Sequence, residues 1–207
     1  MKFQNAATGV KRIFTAEILK LIAAIVTVVG IVMTIVTVAA ANANSQGGTI
    51  AAASVLALIG GIMALVGIIN ASKDEGAFKT ALILIIISLI AAVVAGIFYQ
   101  NATVQSICQI VQNLMSIFVT VFVIKGITNL AVKIGNDEVA KQGKSLLTII
   151  VVFYALSLIA NILVLVFGGM FASVLGGVLA VVALVLNIIA YIVYLSLLSK
   201  GKNMLAE

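Results

Sequence analysis

The chain has no histidine, no proline and no tryptophan, and a single cysteine, Cys108. Without His there is no imidazole base for a Ser–His or Cys–His nucleophile, so an enzyme is not expected. One Cys and no His leave thiolate or imidazole metal sites without ligands, so neither metal nor cofactor is expected. Cys108 reads as a small apolar packing residue. Without Pro, sharp helix kinks lose their commonest cause, which weakens a reading as a transporter built on broken helices. Charge is scarce too: 9% of the 207 residues are Asp, Glu, Lys or Arg. An average soluble domain carries about 25%, and so thin a polar coat cannot cover a surface facing water.

What fills the chain instead is hydrocarbon. Hydrophobic residues make up 64% of it, and the mean hydropathy is +1.34. A helix crossing a bilayer core takes about 20 mostly apolar residues. Six such stretches occur, at about residues 18–41, 50–71, 80–99, 104–124, 145–167 and 174–198. Runs such as Ala81 to Ile87 lack the alternation of barrel strands, which leaves helices. The uncharged stretch from Ser145 to Ser199 would make one straight helix of about 80 Å, against a core of about 30 Å. The chain therefore turns near Gly168-Gly169 and Gly176-Gly177, where glycine tolerates the angles of a tight hairpin. The expected fold is all-α: a polytopic membrane helix bundle with six transmembrane helices in one membrane domain, 1–207. A short N-terminal segment, 1–17, precedes it and a tail, 199–207, follows.

The twelve Lys and Arg residues fall in the N-terminal segment and the lip of the first span, the second loop, the fourth loop and the tail. The other three loops, 42–49, 100–103 and 168–173, carry no charge. Basic residues accumulate on the cytoplasmic side. Both termini are thus expected in the cytoplasm, with the chain in a cell membrane of bacterial plasma-membrane type. The net charge of +6 is membrane-anchoring charge, and the lipid bilayer is the expected partner. No basic stripe interleaves with aromatics, so nucleic acid is not. A rival reading takes the first span as a signal peptide cleaved after Ala43, at the small-x-small sequence Ala41-Asn42-Ala43. The apolar run from Leu21 to Val38 exceeds a typical signal core of 7–15 residues, which favours a retained anchor.

Smaller features have ordinary readings. Ile127, Leu130, Ala131 and Ile134 stand at helical spacing and extend span four along the membrane interface. Asp74-Glu75 and Asp137-Glu138 read as solvated charge runs. Glu17 and Lys20 lie three apart at the lip of span one, where they pair and snorkel. No charge lies deeper in any span, which argues against a proton-coupled pump. Asn101-Ala102-Thr103 matches a glycosylation acceptor by chance, on a loop too short to use it. Small residues recur at Ala53, Ala57 and Gly61, at Ala92 and Gly96, and at Ala172, Gly176 and Ala180, as helix-packing stripes.

One feature stands out. Gln105, Gln109, Gln112, Asn113, Ser116 and Thr120 fall within an arc of about 100° on span four, at ~100° per residue. Span five offers Tyr154, Ser157 and Asn161 as partners, and span six offers Asn187, Tyr191 and Tyr194. An unpaired amide in lipid costs several kcal/mol, so this face meets protein or water. Either interhelical hydrogen bonds hold the bundle there, or Gln105, Gln109, Gln112, Asn113, Ser116, Asn161 and Asn187 line a cavity for a neutral or zwitterionic solute.

Three functions follow: an accessory component packing with other membrane proteins, a solute-binding transport component, or a pore made by a homo-oligomer. In size, span number and inward termini the chain resembles the substrate-binding subunits of energy-coupling-factor vitamin importers. No residue motif carries that likeness, and it implies no substrate.

Overall fold

The computed structural model describes the backbone of residues 3–39, 47–167 and 169–206, and the side chains of residues 3–30, 52–153, 185–186 and 188–206. Its elements are α1 (Gln4–Ala39), α2 (Gly47–Ala71), α3 (Gly76–Ile97), α4 (Ala102–Ile134), α5 (Asp137–Phe167) and α6 (Gly169–Ala206), with no strand among the described residues. Among the described residues, four stretches are long and apolar enough to cross a membrane: Gln4–Gly30, Ala52–Ala71, Gly76–Ile97 and Ala102–Ile134. The described residues make an all-helical fold with the character of a membrane-embedded chain.

The helices run beyond the spans that hydropathy marks out. α1 begins within the expected N-terminal segment, α5 starts at Asp137, and α6 continues through the expected tail. These extensions are amphipathic, and each buries its own apolar stripe. On α1, Ala6, Val10, Ile13 and Ala16 are buried while Thr8, Lys11, Arg12 and Thr15 are exposed. On α4, Ile127, Leu130 and Ala131 are buried in the core rather than lying along an interface, and Ile134 is exposed. Val139, Ala140 and Leu146 of α5 and Leu197, Leu198, Met204 and Leu205 of α6 complete the cluster. The close-packed core therefore sits at the end of the bundle where the lysines gather, here called the basic end.

Glycines set the closest approaches there. A Cβ on Gly9 would lie 2.5 Å from the Gly67 carbonyl oxygen and 2.7 Å from the Ala71 nitrogen. A Cβ on Gly67 would lie 2.8 Å from the Gly9 carbonyl oxygen. The α1 and α2 backbones thus touch. The contact follows a seven-residue rhythm: Gly9, Ala16, Ala23 and Gly30 are buried on α1, and Ala53, Gly60 and Gly67 on α2. Of the expected stripe on this helix, Ala53 joins the contact, whereas Ala57 is exposed and Gly61 faces open space. Phe78 of α3 is wholly buried, and its ring occupies the space that a side chain at Gly126 of α4 would fill.

Short polar turns lock the basic end. Asp74 accepts from the Ala6 amide at 2.7 Å and from the Asn5 side chain at 3.1 Å, so it caps α1 from the α2–α3 turn. A carboxylate there also meets the positive end of the helix dipole. Its neighbour Glu75 is buried and accepts from Asn129 Nδ2 at 2.9 Å and from Lys133 Nζ. The pair read as a solvated charge run is thus a two-way fastening. Gly135, in the left-handed region at φ 82°, ends α4, and the Asn136 side chain then accepts from the Val139 amide at 3.0 Å to start α5. On the opposite end, Asn101 accepts from the Thr103 and Val104 amides at 3.1 Å. Its place in the Asn-x-Thr sequence is that of a helix cap.

Candidate functional site

Beyond the core, toward the uncharged end, the two helix pairs α1–α2 and α3–α4 enclose a cavity of about 460 Å³. Its floor holds Ile13, Ile68, Val123 and Tyr194, and among the described residues its polar lining comprises Glu17, Lys20, Ser88, Ser116, Thr120 and Tyr194. Aliphatic side chains, among them Leu58, Ile62, Leu65, Ile85 and Leu89, form most of the wall. Ile85, Ser88 and Leu89 follow Lys79 along α3; at about 1.5 Å per residue they lie ~9–15 Å from it along the axis.

The charged pair belongs to this cavity. Lys20 Nζ donates to Glu17 Oε1 at 2.7 Å, as their spacing on the helix predicts. The carboxylate is nevertheless turned inward, with 12% of the Glu17 side chain exposed. From α6, the Tyr191 hydroxyl donates to the Glu17 carbonyl oxygen at 3.1 Å and reaches Oε2 at 3.4 Å. The expected pair is there, but the cavity beside the two charges was not expected. The signal was available in the amphipathic stretch before them: a helix that starts at Gln4 puts about three and a half turns between its start and Glu17.

The amide face of α4 is divided. Gln105 is half-buried and donates through Nε2 to the Ala95 carbonyl oxygen at 2.6 Å, bridging to α3. Gln112 is half-buried, while Gln109, Asn113 and Ser116 are exposed. Ser116 also borders the large cavity, and the Thr120 hydroxyl donates to its carbonyl oxygen at 3.1 Å. Thr120 borders a second cavity of about 150 Å³ as well, with Ile117, Ile150, Phe153, Ala190, Tyr191 and Tyr194. Of the expected partners, Tyr191 and Tyr194 come together at 6.5 Å between ring centroids. The side chains of Tyr154, Ser157, Asn161 and Asn187 lie outside the described residues.

Chemically the site offers one carboxylate, one ammonium and several hydroxyls in an apolar wall. Among the described residues no three His, Cys, Asp or Glu side chains gather as a metal cluster would. Cys108 is buried on α4. No known protein family, curated protein or solved structure matches the chain, so its functional reading rests on this geometry.

Proposed function

We propose that the chain is a six-span integral protein of the cell membrane with both termini in the cytoplasm, acting as a non-catalytic component that other membrane proteins pack against. The observation that carries the reading is the exposure of Gln109 and Asn113 on α4, amid exposed Ile107, Ile110 and Leu114. Amides facing hydrocarbon without partners cost several kcal/mol, so a second membrane chain covers them. Purification in mild detergent tests this: a partner, or a second copy, co-purifies with the wild type and is lost from Gln109→Leu/Asn113→Leu. An unchanged, partner-free monomer in both cases rejects it.

The topology has its own test. In a Cys108→Ala background, a membrane-impermeant thiol reagent applied to intact cells labels Ser45→Cys and leaves Lys141→Cys untouched. Labelling at Lys141→Cys rejects the six-span orientation. A second reading, a transport component for a neutral or zwitterionic solute, is favoured by Ser116, which joins the amide face to the large cavity. Solute uptake that is lost in Gln109→Ala, with the protein still folded, supports that reading over the first.

A further inference from the structure

The Glu17–Lys20 cavity has three properties that together select a ligand. It holds one charge of each sign, its wall is largely aliphatic, and it opens sideways. Leu58, Ile62 and Leu89 line it and are at the same time strongly exposed, at 65%, 55% and 52%. The opening therefore lies between α2 and α3, which touch each other far less than α1 touches α2 or α3 touches α4. In a bilayer that opening faces acyl chains, not water.

The charges narrow the choice. Glu17 and Lys20 balance each other across 2.7 Å, the carboxylate largely buried and the lysine 40% exposed. A ligand with a single charge would engage one of them and leave the other unpaired, which is the expensive arrangement. A ligand bearing both signs engages both and keeps the cavity neutral. An aliphatic wall with a lateral mouth adds a hydrocarbon tail to that requirement.

We infer that the cavity binds a zwitterionic phospholipid, its phosphate on Lys20, its ammonium on Glu17, and an acyl chain leaving along Leu58, Ile62 and Leu89 between α2 and α3. This goes beyond the accessory role proposed above and uses from it only the membrane location, so either can fail while the other stands.

The test uses the full chain in detergent and phosphatidylethanolamine carrying a fluorophore on its acyl chain. Wild-type protein is expected to bind this probe, with phosphatidylglycerol, which lacks the ammonium, competing at least tenfold more weakly than unlabelled phosphatidylethanolamine. Glu17→Gln and Lys20→Gln each weaken binding at least tenfold. Gly61→Leu provides an arm independent of the charges: a side chain there enters open space beside the cavity, so it blocks the probe while the unfolding temperature stays within a few degrees of wild type. Equal competition by phosphatidylglycerol overturns the inference, as does full binding by Gly61→Leu. Glycerophosphoethanolamine, the soluble headgroup, separates the two sources of the same chemistry. If it competes as well as the lipid, the ligand is a soluble zwitterion and the lipid assignment is overturned.

Discussion

Neighbouring or matching residues of one type have unequal roles here, and the acidic pairs show it best. Burial by itself would raise the Glu75 carboxyl, but hydrogen bonds from Lys133 and Asn129 and the Lys133 charge outweigh it, holding the group below its ordinary 4.5. A carboxyl depressed on folding contributes stability that is present above its unfolded value and lost as pH falls through the folded one. Glu75→Ala is thus expected to cost about 1–3 kcal/mol at pH 7, toward the lower end because Lys133 is half exposed. The gap to wild type closes below about pH 4.5, as thermal unfolding in detergent at several pH values will register. Glu138 is the contrast. Lys200 beside it lowers its carboxyl as well, but the carboxylate is fully exposed. Glu138→Gln leaves the unfolding temperature unchanged, since water screens such pairs. In sequence the Asp74-Glu75 and Asp137-Glu138 pairs look the same. Whether a carboxylate is solvated or fastened depends on what a distant segment brings to it, here Asn129 and Lys133, and local sequence holds no record of that.

At the scale of helices, the apolar spans were legible because lipid demands a length and a composition. Their true ends were not, since a hydropathy threshold stops where the first polar residues enter. α1, α5 and α6 continue past that point by packing stripes such as Ala6, Val10 and Ile13 against one another. The α1–α2 contact was legible only in part. A four-residue rhythm picks out Ala53, Ala57 and Gly61, whereas the helices meet on the seven-residue rhythm through Gly60 and Gly67. Two substitutions on one helix separate these patterns. Gly67→Ala is expected to destabilise by about 1–3 kcal/mol, because its methyl meets backbone. Gly61→Ala meets nothing and gains up to about 1 kcal/mol of helix propensity. Unfolding temperatures of the two variants, measured side by side, are expected to move in opposite directions. The amide stripe of α4 was readable as a stripe, but its division between a bridge at Gln105 and exposure at Gln109 and Asn113 depends on which neighbours α3 supplies.

At the scale of the molecule, the buried cluster among the described residues sits at the basic end, and the cavity begins where that cluster stops. The last turn of α6 belongs to the core: Met204 and Leu205 are buried although they lie beyond Lys200 and Lys202. Leu205→Asp puts a charge into that cluster, and it is expected to convert a monodisperse protein into aggregate on size-exclusion chromatography. The conservative Leu205→Met is expected to keep the wild-type profile, at a cost below about 1.5 kcal/mol.

The capping of α1 by Asp74 has a consequence for biogenesis. Every residue that joins α1 to α2, together with the carboxylate that closes the start of α1, is encoded before α3 begins. The first hairpin can therefore finish its own interface while the ribosome is still adding the rest, in keeping with the tendency of chains to fold unit by unit during synthesis. Glu75, one residue later, must wait for Lys133 to emerge. Adjacent side chains thus close an early step of assembly and a late one.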